Sequence, residues 1–328
     1  MSPVCLLVAA LSVAGCQPRA GDGAAADAGV EPIDSGIAPV DVGTLPSDAR
    51  PGDDAVAPRA GGHTLWIGNS LVRHGASGPY TAYDVAAVVQ DLQATSGVGA
   101  RQVMHVLAQD GFDLFGWWSS WYGYTRDGEI ISAARAIVED GAAARTYDPA
   151  LEYTPLAPGE QWARIILLGT AYDFVESPEH WYGSFESGAS VATMERWFEL
   201  IRSVDPAIEI LHYEGVVDSR IMEHQPDVDR LYDEIQARWG GRIVPVGRAF
   251  AAAVGARPGL DLRRTRDNDH MHFSDSGVYL AACVFFAVLY GDPRELPVTS
   301  DLDVSAADAP FLQRTAQDAV TAVGSGPR

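Results

Sequence analysis

The chain has 328 residues, 47% of them hydrophobic and 20% charged, which suits a large globular domain and excludes a wholly disordered or fibrous protein. Its formal net charge is -21, so its surface repels nucleic acid phosphates and anionic lipid headgroups, and neither is expected as a partner. The three cysteines, Cys5, Cys16 and Cys283, offer no disulfide framework and no zinc spacing, and the scattered histidines form no metal set.

Residues 1–16, MSPVCLLVAALSVAGC, are a short apolar run ending in small residues and a cysteine. The run is too short to span a bilayer and reads as a targeting segment. Residues 17–61 are rich in Ala, Gly, Pro and Asp and nearly devoid of large apolar side chains. Such a stretch cannot bury enough surface to offset its ordering entropy, so it reads as a flexible tether.

From His63 the pattern alternates. HTLWIGNS reads as a strand ending in Gly68-Asn69-Ser70, AYDVAAVVQDLQ as a helix and RQVMHVLAQ as a strand followed by Asp110-Gly111. EIISAARAIVED is expected to be helical, and ARIILLG to be a strand buried on both faces. VATMERWFELIRSVD is an amphipathic helix stopped by Pro206, IEILHYEG a strand, VDRLYDEIQARWG a helix closed by Gly240, and RIVPVG a short strand. GVYLAACVFFAVLYG is a buried helix containing Cys283, whose thiol is expected to be an inert small hydrophobe. Strands alternating with helices predict an α/β domain over 62–324 with a parallel sheet, followed by a tail at 325–328. In such sheets ligands bind at the carboxyl ends of the strands. That rule directs attention to Gly68–Ser70, Asp110-Gly111, Gly169–Asp173 and the His270 region.

Ser70 at the end of the first strand is a candidate nucleophile, with a turn or helix cap as the ordinary alternative. A serine nucleophile needs a base, and the base needs a carboxylate that fixes its tautomer. Asp269 and His272 stand three apart just before the apolar helix, where they could serve as that pair or simply form its first turn, capped by Ser274 or Asp275. The two readings are compatible.

These blocks carry a resemblance. LWIGNS resembles the first block of the SGNH (GDSL-like) hydrolases, and DHMHFSDSGVYLAACVFFAVLYG resembles their last, an Asp-x-x-His followed by Ser, Gly and the final helix. Aligning Gly277 and Tyr279 selects His272 with Asp269 and leaves His270 a bystander. DAPFLQRTAQDAV resembles the last helix of some members. The resemblance implies a flavodoxin-like three-layer α/β/α sandwich with a central parallel sheet. It also implies a cofactor-free serine ester hydrolase working through an acyl-enzyme on a carboxylic ester, either a carbohydrate esterase or a short-chain carboxylesterase. It places the oxyanion hole at the N–H groups of Ser70 and Gly111. Where the family often has Gly-x-Asn-Asp, this chain has Gly169-Thr170-Ala171-Tyr172-Asp173, so Thr170, nearer the strand end than Tyr172, is the candidate third donor. A non-catalytic binding protein on the same fold is the alternative that the missing asparagine suggests.

LSVAGC similarly resembles a bacterial lipobox. It implies a lipidated Cys16, a protein secreted or held in the cell envelope, and membrane contact through that anchor only. A competing stretch, Leu71-Val72-Arg73-His74-Gly75, resembles the signature of the histidine phosphatases, but the strand before it already ends at Gly68 and the His272 block suits the SGNH pattern better. The aromatic run FGWWSSWYGY reads either as core and surface loop or as an acyl- or sugar-binding wall beside Gly111.

Overall fold

The computed structural model describes residues 62–69, 71–72, 84–98, 102–108, 118, 123–126, 129–140, 156–169, 187–265, 269–298 and 302–324. In chain order these form β1 (His63–Gly68), α1 (Val85–Ser96), β2 (Val103–Ala108), β3 (Gly123–Arg126), β4 (Glu129–Ser132), α2 (Ala133–Asp140) and β5 (Trp162–Leu168). There follow α3 (Ser187–Val204), β6 (Glu209–Tyr213), a 3₁₀ turn (Ser219–His224), α4 (Gln225–Trp239), β7 (Arg242–Val244), α5 (Val246–Ala256), α6 (Asp275–Tyr290) and α7 (Ala309–Gly324).

Five strands make a parallel sheet in the order β2-β1-β5-β6-β7. Alternation along each strand sends side chains to two separate cores. Trp66, Ile166, Leu211 and Val244 point to one face, against α1, α5, α6 and α7. Leu65, Ile67, Ile165, Leu167 and Ile210 point to the other, against α2, α3 and α4. The three-layer α/β/α sandwich with a central parallel sheet is therefore the observed fold. Counting only the sheet's own strands, the order is 2-1-3-4-5, the doubly wound arrangement of flavodoxin-like folds. Chain direction across the sheet reverses at β1, so the crevice of such a fold lies beyond the carboxyl ends of β1 and β5.

At the opposite edge a polar network pins the strand beginnings. Arg164, 2% exposed inside an otherwise apolar strand, donates from Nε to Glu209 at 2.7 Å and from Nη1 to Gln102 at 2.7 Å. Thr64 donates to the same Gln102 oxygen at 2.8 Å, and Arg242 donates to Glu209 at 2.8 Å. Each buried polar group has a partner, which is what keeps a charge tolerable there.

Two local expectations fail. Glu129–Ser132 is a strand, not the start of a helix, and pairs antiparallel with Gly123–Arg126. The β-branched pair Ile130-Ile131 suits a strand, and the intervening Asp127-Gly128 is a two-residue hairpin sequence, so helix begins only at Ala133. The strand in RIVPVG ends at Val244 because Pro245 has no N–H to continue a ladder, and it precedes the unforeseen helix α5. The alanine-rich sequence AFAAAVGA favours that helix. Among the described residues no helix is long and apolar enough to cross a membrane. The apolar α6 is instead buried over most of its length.

The start of α6 is jammed against the preceding segment. A Cβ at Gly277 would lie 2.1 Å from the carbonyl oxygen of Leu262, a backbone atom that cannot swing away. Gly277→Ala is expected to lower stability by about 1–3 kcal/mol, read as a lower urea midpoint with an unchanged slope.

Candidate active site

The segment before α6 folds back on itself as a narrow ribbon. Arg263 and Phe273 form an antiparallel bridge. Arg264 N–H donates to the His272 carbonyl at 3.1 Å, and Ser274 N–H to the Leu262 carbonyl at 3.1 Å. Ser274, of the two capping candidates, is the N-cap of α6: its hydroxyl accepts from Gly277 N–H at 3.2 Å and donates to the Asp261 carbonyl at 2.6 Å. Phe273 anchors the ribbon in the core, its ring 4.7 Å from that of Phe250.

At the ribbon's tip the backbone turns around Asp269. Its Oδ1 accepts from the N–H groups of Met271 at 3.1 Å and His272 at 3.0 Å, and its Oδ2 lies 2.7 Å from His272 Nδ1. Burial raises the Asp269 pKa. The hydrogen bonds from the His272 ring and backbone, the charge of that ring and the Met271 N–H outweigh burial and hold the carboxyl well below the usual carboxylate range. An ionised carboxylate only accepts, so Nδ1 carries the proton that faces Asp269, and whenever the ring holds a single proton Nε2 is the basic nitrogen. Asp269 and His272 are thus brought together as the sequence predicts, both partly exposed.

The other half of the site is the turn after β1. Ser70 itself lies outside the described residues, as do Gly111, Thr170, Cys16 and the Arg73-His74-Gly75 stretch. The residues flanking Ser70 are described. Asn69 is buried, its side-chain oxygen accepts from Leu71 N–H at 2.9 Å, and its carbonyl accepts from Val72 N–H at 2.9 Å. A Cβ at Gly68 would stand 2.7 Å from Val72 Cγ2 and 2.9 Å from Leu168 Cβ, so glycine lets the ends of β1 and β5 approach.

Tyr213, the last residue of β6, ties this turn to the sheet. Its buried hydroxyl donates to the Leu71 carbonyl at 3.2 Å, and burial raises its pKa far beyond the ordinary phenol range. The Tyr232 hydroxyl lies 2.9 Å from the Tyr213 carbonyl and 3.2 Å from that of Gly169, at the end of β5. The dyad loop is attached near the same end of β6: Ser219 N–H donates to the His270 carbonyl at 3.2 Å, and Ser219 Oγ is 3.0 Å from His270 Nδ1. Both halves therefore hang from the carboxyl edge of one parallel sheet.

The remaining candidates fall elsewhere. Within the aromatic run, Trp118 packs edge-on against Trp197 at 5.1 Å under the Arg135 guanidinium, on the face away from α6, which is the core reading for that residue. His105 is buried, with Nε2 2.8 Å from His63 Nδ1. The Cys283 thiol is buried and its pKa is raised by that burial. Among the described residues no group of three His, Cys, Asp or Glu side chains could hold a metal ion.

No protein-family model matches the chain, and no curated protein matches it in sequence. The fold has a solved counterpart. A DUF4886 family protein from Bacteroides uniformis is similar at a TM-score of 0.53 and 15% identity, over 80% of this chain and 95% of that one. A catalytic mutant of an acetylxylan esterase from Geobacillus stearothermophilus aligns at a TM-score of 0.43 and 15% identity, over 69% of this chain and 93% of that one. At 15% identity the likeness to the DUF4886 family protein is one of fold.

The depressed Asp269 pKa makes a stability prediction. A carboxyl whose folded pKa lies below its unfolded value, about 3.9, stabilises the protein above that pH, and the gain is lost as pH falls toward the folded value. Asp269→Asn is therefore expected to cost about 2 kcal/mol in urea denaturation at pH 7. The gap to wild type should shrink as pH falls through about 4 toward 3.

Proposed function

We propose that the chain is a serine ester hydrolase of the SGNH kind. The observation that carries this reading is the Asp269–His272 pair, a carboxylate 2.7 Å from Nδ1 with its other oxygen occupied by two backbone N–H groups. That arrangement leaves Nε2 as a base of fixed tautomer. It stands near the carboxyl edge of the sheet, to which Asn69 and Leu71, the residues either side of position 70 in the sequence, are also tied. The last-block resemblance adds to it.

In this reading Ser70 Oγ attacks the ester carbonyl while His272 Nε2 takes its proton. The carbonyl oxygen becomes an oxyanion held by the N–H groups of Ser70 and Gly111, with the Thr170 hydroxyl as third donor. Collapse expels the alcohol, which takes the proton from His272 and leaves an acyl-serine. Water, activated by the same nitrogen, then adds to the acyl group. The second collapse releases the carboxylic acid and returns the proton to Ser70. Asp269 orients the ring and stabilises its charge in both halves. Carboxylic esters, either acylated carbohydrates or short-chain esters, are the proposed substrates. Cys16 is the proposed lipid attachment point, with 17–61 as the tether holding the domain at the cell envelope.

The test is hydrolysis of p-nitrophenyl acetate by wild type, Ser70→Ala and His272→Ala. Each variant is expected to lose at least about 1000-fold in kcat/KM. Equal rates in all three would overturn the reading.

A further inference from the structure

His272 is useful as a base only if its ring is aimed, and its aim depends on the peptide unit that joins it to Met271. That unit is held at both poles. Its N–H, on His272, donates to Asp269 Oδ1 at 3.0 Å. Its carbonyl, on Met271, accepts from Nη1 of Arg263. The same guanidinium donates from Nη2 to the carbonyls of Val216 at 3.1 Å and Val217 at 2.6 Å, in the loop after β6.

Arg263 is 4% exposed, and its guanidinium lies 4.9 Å from the ring centre of Phe273 and 5.3 Å from that of Phe250. Burying a guanidinium costs solvation free energy that a simple packing role does not require. A planar fork reaching carbonyls of two separate loops gives it a geometric role that an ammonium cannot copy. The acceptors are themselves fixed. Gln225 accepts from Val217 N–H at 3.0 Å and donates to the Gly215 carbonyl at 3.1 Å. The buried Glu214 accepts from Arg248 N–H and Nε, both at 2.9 Å. Ser219 adds a second attachment between the same two loops through its N–H and hydroxyl to His270.

The geometry points to Arg263 as the positioning residue of the Asp269–His272 pair: it clamps the dyad loop to the loop after β6, with Ser219–His270 as the second attachment. This role rests on the hydrolase reading above. The printed partners of Arg263 are backbone carbonyls and two aromatic rings, so the effect argued here passes through the aim of His272. An ill-aimed His272 is most damaging when it must donate a proton to the leaving group. An alkoxide leaves only with that proton, whereas p-nitrophenolate departs without it.

The experiment compares kcat/KM, which reports acylation because both esters give the same acetyl-serine, for the full chain and its Arg263→Lys variant on p-nitrophenyl acetate and on an alkyl acetate, with circular dichroism as the check on folding. We expect kcat/KM on the alkyl ester to fall about 100-fold and kcat/KM on the p-nitrophenyl ester about tenfold or less. Equal losses on the two esters in a folded variant, or no loss, would overturn the positioning role. If Arg263→Lys does not fold, Ser219→Ala decides, because it removes only one side-chain attachment. A loss about fivefold larger on the alkyl ester supports the clamp, and equal rates on both esters overturn it. A wild-type chain that turns over neither ester overturns the hydrolase reading and this inference with it. An active wild type with a uniform loss overturns the positioning role alone.

Discussion

Asp269 accepts hydrogen bonds from two backbone N–H groups and from the His272 ring, and the site's chemistry depends on this convergence. The backbone bonds do two things at once. They close the turn that brings the aspartate under a histidine three residues later, and they help keep the carboxyl ionised. An ionised aspartate then dictates which ring nitrogen carries the proton. A neutral aspartic acid in the same place would be free to donate, and the tautomer would no longer be fixed.

Charge is distributed in this fold by position along the strands. The network at the starting edge, built on Arg164, Glu209, Gln102 and Arg242, fixes how the strands line up. The groups near the finishing edge have a different task, holding loops to the sheet. Tyr213 reaches back from β6 to the turn after β1, Arg263 holds the segment before α6 to the segment after β6, and Arg248 holds α5 to Glu214. Burial pushes the Glu214 carboxyl up, to about 8, in spite of Arg248 beside it. Between the two edges the sheet is almost wholly apolar, as a parallel sheet covered on both faces must be.

Much of this is legible in the chain. The five strands of the sheet announce themselves as short apolar runs. Asp269, His272, Ser274 and Gly277 stand together in one stretch whose spacing is local, so a turn and a cap suffice to assemble them. Arg263 is not legible, because nothing in LDLRRTRD marks one arginine as buried. Its burial comes from Phe250, Phe273 and the Val216 and Val217 carbonyls, which converge only in the folded chain. Tyr213 is hidden for the same reason, since its partner Leu71 lies 142 residues away. The β3–β4 hairpin escapes sequence reasoning because EIIS runs straight into a helical sequence, and periodicity alone does not separate a short strand from the turn of helix that follows. α5 escapes it because RIVPVG reads as one strand, whereas Pro245 ends a strand and opens a helix.

In the proposed mechanism Ser70 is the nucleophile served by His272. The most direct measurement is labelling of the full chain with a fluorophosphonate, followed by peptide mapping by mass spectrometry, in wild type and His272→Ala. A single adduct on Ser70 is expected in wild type, with labelling slowed by orders of magnitude in the variant. An adduct on another serine, such as Ser219 beside His270, or Ser70 labelling indifferent to His272, would contradict it.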